Sequence, residues 1–272
     1  SLLGLEDLVE GFLERKAQAK IGFTKRLQEF VNLQVAEDWR EEELADDDLI
    51  GIDDYAPDEA WPDEVRRYMT VDCQKDLIDF WVVVRAWSKK GASRLLTFRR
   101  PRSWDEVAEI AEEFKVPASR VFVDVQYKRG EVLEELARRH WHGFQGEENE
   151  AFLHTYTEHG RQKKRWKVYS KPKAEKGLNV PYTPKVWMWS NPTVKDILDK
   201  LKRGDATDWR VCDLGRLTEN YQKQMNSERR KTVINSRGKE VTYWEKFREN
   251  HAWDCECMQV VVAIIQRIYG TE

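Results

Sequence analysis

The sequence predicts an α/β fold, and three observations predict it. Short runs rich in Val, Phe and Trp, at Tyr68–Cys73, Leu77–Trp87 and Val121–Val125, have the composition of strands. Polar-started amphipathic segments alternate with them, the first opening at Ser103-Trp104-Asp105-Glu106 in capping-box style. The order, a hairpin first and then strands alternating with helices, is that of a sheet with helices packed on it. With 272 residues, 40% of them hydrophobic and twelve of them Trp, the chain has enough apolar surface for a real core. The length allows one large domain or two smaller ones.

Along the chain, Leu5–Val35 reads as one or two amphipathic helices, with Leu8, Phe12, Phe23, Leu27, Phe30 and Val31 as apolar positions. A first strand, Tyr68–Cys73, turns at Gln74-Lys75-Asp76 into the long strand Leu77–Trp87, and Ser93–Phe98 follows the Lys89-Lys90-Gly91 turn. The helix opened by Ser103 ends before Pro117, Val121–Val125 is a compact strand, and Gly130–His140 a helix. Phe152–Tyr169 resembles a hairpin turning near Glu158-His159-Gly160. Val186–Trp189 is a strand and Thr193–Leu201 a helix; Asp205–Glu240 is polar and gives no clear element. Tyr243–Arg248 precedes a closing helix from about Ala252 to Ile268.

Charge is unevenly spread. Between Glu37 and Glu64 fourteen acids face one Arg, a net of −13, so a total of −3 leaves +10 on the rest. That body attracts a polyanion. The acidic stretch from Asp38 to Asp48, followed by Pro57 and Pro62, reads as a solvated linker. The expected division is therefore a helical and acidic linker region, 1–64, and a second region, 65–272. No run approaches the ~18 apolar residues of a membrane span. The start Ser1-Leu2-Leu3-Gly4 has no signal-peptide pattern, and the missing initiator Met suggests a piece of something longer. Four Cys are too few for a disulfide scaffold and fit a reducing compartment.

Three acids stand in unusual places. Asp72 interrupts Met69–Cys73, Asp124 interrupts Val121–Val125, and Asp254 opens the apolar closing helix. Asp is disfavoured in strands because it desolvates poorly and competes with the ladder. If the strands are neighbours and the helix crosses their ends, three carboxylates meet, and they repel one another unless a hard cation neutralises them. Mg²⁺ suits such oxygen donors, and two ions would activate water for phosphodiester hydrolysis. Plainer readings stand beside this one. Asp72 can begin a turn, Asp254 can serve the helix dipole, and Asp124 can pair with Lys128 or Arg129.

Val71-Asp72-Cys73-Gln74-Lys75-Asp76-Leu77 resembles the first nuclease motif of phage terminase large subunits of the lambda-like branch, where Gln follows the Asp by two residues at a hairpin. Phe122-Val123-Asp124-Val125-Gln126-Tyr127 resembles the second acidic strand, and Gly143-Phe144-Gln145-Gly146 a short strand ending in glycine. Trp187–Leu201 resembles a strand and a helix that carries a Lys, here Lys195. The segments Gln224–Arg229 and Tyr243–Lys246 follow in order, and Asn250–Glu256 resembles the closing acidic motif. Phe30-Val31-Asn32 and Trp39 resemble the join between ATPase and nuclease.

The resemblance implies a ribonuclease-H-like fold and a DNA endonuclease that cuts concatemeric double-stranded DNA in the host cytoplasm during packaging. Asp72, Asp124 and Asp254 would be its catalytic metal ligands for Mg²⁺ or Mn²⁺, with two ions expected. The terminase small subunit and the portal would be its partners. The sequence departs at Thr70, where Gly is usual, and at Asp124, where some branches have Glu. No Gly-x-x-x-x-Gly-Lys-Ser/Thr occurs in these residues, so they are expected to cleave without driving translocation.

From Arg161 to Lys176 eight Lys or Arg face one Glu, interleaved with Trp166 and Tyr169. Arg161, Lys163, Lys164, Arg165 and Lys167, together with Lys128, Arg129 and Lys195, are the candidate DNA-binding cations. A solvated hairpin tip, or for Lys195 an exposed helix position, accounts for the same residues. His251, Cys255 and Cys257, with His140 and His142 elsewhere, make only a weak zinc pattern; the Cys read as buried and structural, and Glu256 turns away from Asp254. Within the same fold, a junction resolvase or transposase core is the enzymatic alternative; a non-catalytic docking module is the other.

Overall fold

A computed structural model describes residues 5–20, 30, 50–74, 77–175, 182–234 and 240–270. The expected acidic linker from Asp38 to Asp48, and Phe23, Leu27 and Val31 of the expected N-terminal helices, lie outside these residues. The helix α1 spans Leu5–Lys20, and its Phe12 ring meets Phe30 at 6.2 Å.

The core is a mixed α/β arrangement compatible with a ribonuclease-H-like fold. Strands β1 (Glu64–Cys73), β2 (Phe80–Ser88) and β3 (Ser93–Arg99) form an antiparallel meander. After α2 (Trp104–Glu113), strand β4 (Val121–Asp124) returns parallel to β1. After α3 (Arg129–Arg139), β5 (His142–Glu147) pairs in parallel with β4. The hairpin β6 (Phe152–Glu158) and β7 (Arg161–Lys167) forms a separate two-stranded sheet. Strands β8 (Lys173–Ala174) and β9 (Lys185–Ser190) then complete that side of the main sheet, and α4 (Asn191–Lys202) follows. Strand β10 (Trp209–Arg210) closes the far edge, for an order of β10-β3-β2-β1-β4-β5-β9-β8 across eight strands. Helix α5 (Arg216–Met225), a second hairpin of β11 (Glu228–Ile234) and β12 (Glu240–Lys246), and α6 (His251–Ile265) end the described chain.

Strand alternation sorts the sheet into two faces. Met69, Val71 and Cys73 of β1, with Val121 and Val123 of β4, pack under α2 and α3. Tyr68 of β1 and Phe122 of β4 face the other way, toward α4, α5 and α6. Both faces are covered, so β2 is buried along its whole length. Helix α6 is apolar nearly all round, as a helix covered on every side should be. Gly143 is where β5 passes closest to its neighbours: a Cβ there would lie 2.8 Å from Val125 Cγ1 and 3.0 Å from Val186 Cγ2.

Helix α2 starts as its sequence suggests, with Ser103 Oγ accepting from the Glu106 backbone N–H at 3.1 Å. The return bond from Glu106 goes to the backbone N–H of Arg102 rather than to Ser103. Residues 50–63 are fastened to the sheet edge. The Tyr55 hydroxyl donates to Leu95 O at 2.9 Å, and Arg210 Nε pairs with Asp53 at 3.0 Å.

One buried ion pair crosses the core. Arg85 of β2, with no exposed side-chain surface, donates to Glu256 of α6 at 2.6 Å, to Ser93 and to the carbonyl of Arg210, and lies over Trp209. The Tyr221 hydroxyl donates to the other Glu256 oxygen at 2.6 Å. Beside it Gln259 is also buried; it accepts from Trp87 Nε1 and donates to the carbonyls of Tyr68 and Val83. These bonds fix α6 across β1 and β2 and leave Arg85, Glu256 and Gln259 with partners.

Candidate active site

The alternation that puts Tyr68 and Phe122 beneath α6 puts Asp72 and Asp124 on that face too, since each lies an even number of residues further along. Parallel pairing sets Val71 opposite Val123, so the two acids that follow are neighbours at the C-terminal ends of adjacent strands. Ligand sites of open α/β sheets form at such ends. Helix α6 delivers Asp254 in its first turn, where the positive end of the helix dipole favours an acid. Thr70 locks this crossing by donating from Oγ1 to the carbonyl of Cys255 at 3.0 Å. This is a packing reason for Thr at that position.

Electrostatics ties the three acids together. Burial raises the Asp124 carboxyl first and the charge of Asp72 second, to about 8. Burial and Asp72 likewise hold Asp254 well above the ordinary range, against the pull of Lys195 and Lys246. Asp72 itself is raised by burial, with His251, Lys246 and Gln74 opposing. Its Oδ2 lies 2.8 Å from Gln74 Nε2 and 2.8 Å from His251 Nδ1. Neither plainer pairing of Asp124 is present. Arg129 bonds Gln145 at 2.8 Å and Glu175 at 2.6 Å, and Lys128 pairs with Glu131 at 3.8 Å.

A second layer of charge surrounds Asp254. Lys195 of α4 is buried, not solvent-facing, and bonds Glu228 at 2.5 Å. Burial, the largest single influence, would lower its pKa, but Glu228 and the other acidic groups around it, Asp254 among them, together outweigh that and the net shift is upward. Asn250 donates to the other Glu228 oxygen at 2.6 Å and accepts from Lys246. Glu228 and Lys246 are cross-strand partners at the base of the β11–β12 hairpin. The N-terminus of α6 is capped from outside, by Gln224 Oε1 accepting from the Ala252 N–H at 2.8 Å.

Among the described residues, no three His, Cys, Asp or Glu side chains stand close enough together to hold one metal ion. In donor type the cluster nonetheless fits a hard dication. It offers carboxyl oxygens whose ionisation is opposed by burial and then by the charge of Asp72, a cost that a bound cation would offset. Zinc is a poor match, because Cys255 and Cys257 are buried with their thiols held neutral by burial.

The basic residues of the hairpin are exposed from Arg161 to Trp166. Alternation sets Arg161, Lys163, Arg165 and Lys167 on one face, and Lys164 with Trp166 on the other. His159 and Gly160 make the turn with positive φ values of 48° and 75°. Trp187, Trp189 and Trp253 belong to the core rather than to a base-stacking surface.

His251, Glu228, Asn250 and Lys246 complete the site without having been singled out as site residues by sequence. Gln74 had a signal, its place two residues after Asp72. No described helix is long and apolar enough to cross a membrane.

Neither the curated proteins nor the solved structures gave a match. A family model described as "Terminase large subunit gpA, endonuclease domain" matches residues 2–113 and 154–271, taking in Asp72 and Asp254 while passing over the interval with Asp124. A match over that much of the sequence establishes the family, and the chain belongs to the terminase large subunit gpA endonuclease domains.

Proposed function

We propose that this chain is a metal-dependent endonuclease that cleaves concatemeric double-stranded DNA for packaging. The observation that carries the reading is a group of three acids, Asp72, Asp124 and Asp254, far apart in sequence, two of them raised by burial and then by the charge of the third. When bound, Mg²⁺ or Mn²⁺, read as two ions, supplies Lewis-acid activation of water and charge stabilisation at the leaving oxygen. Asp72, Asp124 and Asp254 provide its oxygen ligands. Lys195 and Lys246 offset part of their charge, so the site tolerates an approaching phosphate. The hairpin cations Arg161, Lys163, Lys164, Arg165 and Lys167, with Lys128 and Arg129, hold backbone phosphates, which positions a duplex without reading its sequence. In the assembled motor, the small terminase subunit and the portal would be its partners, in the host cytoplasm.

The test is cleavage of supercoiled plasmid in Mn²⁺ or Mg²⁺, with Asp72→Asn alongside. Wild type should nick and linearise the plasmid only with the ion, and the variant should lose at least ~100-fold, the scale on which metal catalysis depends on its ligands. Equal cleavage by both would reject the assignment. The absence of a preassembled three-ligand cluster among the described residues favours a second reading, a non-catalytic docking module. That reading requires a melting temperature unmoved by divalent ions, whereas a metal site raises it by mass action.

A further inference from the structure

We propose that His251 and Gln74 are positioning residues which hold one oxygen of Asp72 and thereby leave the other for a divalent ion; this rests on the nuclease reading above. Two donors converge on a single atom. Gln74 Nε2 and His251 Nδ1 each lie 2.8 Å from Asp72 Oδ2, and 3.0 Å from each other. The carboxylate only accepts, so the His251 hydrogen is on Nδ1. No described residue donates to Asp72 Oδ1.

The imidazole is held in place by packing. Its ring stacks on Trp81 at 5.2 Å and 11°, and Trp81 is the residue directly opposite Asp72 in the β1–β2 ladder. Trp81 in turn stacks on Phe98 at 5.1 Å, with the Arg100 guanidinium 5.0 Å from its ring centre. His251 is the first residue of α6, so the element that delivers Asp254 also delivers the donor that orients Asp72. Outer hydrogen bonds of this kind fix the rotation of a ligating carboxylate and decide how well it binds.

Calorimetric titration of the full chain with Mn²⁺ alone tests this, using His251→Phe, His251→Asn and Gln74→Leu. Phe keeps a ring to stack on Trp81 but has no donor, and Asn replaces Nδ1 with an amide nitrogen. His251→Phe and Gln74→Leu should each weaken Mn²⁺ binding by about 10–100-fold. His251→Asn should stay within a few-fold of wild type. A His251→Phe chain that binds Mn²⁺ as wild type does overturns the inference and leaves the nuclease reading standing. So does His251→Asn falling as far as His251→Phe. If His251→Phe does not fold, Gln74→Leu decides alone, and unchanged affinity there counts against the inference. A wild-type chain that binds no Mn²⁺ overturns both.

Discussion

Asp124 gives up its proton reluctantly, and the sign of its effect on stability follows from that. Its carboxyl is raised by burial and by Asp72 to about 8, whereas in an unfolded chain it titrates near ~3.9. Below that lower value both states hold the proton and the contribution to stability is complete. As pH climbs toward the folded value, the unfolded chain ionises first and stability is lost. In a chelator, Asp124→Asn should therefore melt above wild type at pH 8, and the two should coincide near pH 4. A variant that melts lower at pH 8 would show that the carboxylate is not under strain.

Glu256 is an acid with partners, although it is only two residues from Asp254. It is fully buried, with Arg85 and Tyr221 on its two oxygens. Glu256→Ala leaves Arg85 buried and unpaired, and urea unfolding should show a loss of about 3–5 kcal/mol. Replacing both, Arg85→Met with Glu256→Leu, should recover most of it. A single substitution costing under ~1 kcal/mol would mean that the pair is dispensable.

At the scale of elements, legibility followed burial. Strands β1, β2, β3 and β4 and helices α2, α3, α4 and α6 are readable because a covered sheet face or an apolar stripe leaves a period in the sequence. β1 begins four residues earlier than its apolar run, at Glu64, because Glu64, Arg66 and Arg67 still pair with the end of β2 although their own side chains are only partly buried. The β11–β12 hairpin was not readable: its strands are mostly exposed on both faces, so no alternation marks them. Strands β8 and β10, at two residues each, are too short for any pattern.

The β6–β7 hairpin was legible from its turn and its basic run, and its role is tested as an element. If four cations of one face track phosphates, each neutralised cation should reduce the slope of log binding constant against log salt by about 0.9. Arg161→Ala with Arg165→Ala should thus lower it by about 1.8, without changing any preference between DNA sequences. An unchanged slope in a filter-binding or anisotropy titration would return the hairpin to a solvated tip.

Across the whole molecule, the site arises from three separate rules acting together. Alternation puts Asp72 and Asp124 on one face, parallel pairing puts them side by side, and the buried contacts of Thr70, Gln259 and the Arg85–Glu256 pair place α6 so that Asp254 arrives above them. The acids of the proposed site stand out in the sequence because an Asp inside an apolar strand violates a strong preference. Their companions do not, because Glu228, Asn250 and Lys246 are ordinary polar residues in polar sequence and acquire meaning only through tertiary contact. Beside Cys255 and Cys257, His251 gives at most a weak zinc pattern, and nothing in the sequence marks its bond to Asp72.

The most direct test is a crystal structure of the full chain soaked in Mn²⁺, read by its anomalous signal. A peak is expected in contact with Asp72 and with Asp124 or Asp254, the acids closing up around it. Saturating Mn²⁺ with no peak at these residues, or with peaks only on the surface, would contradict it.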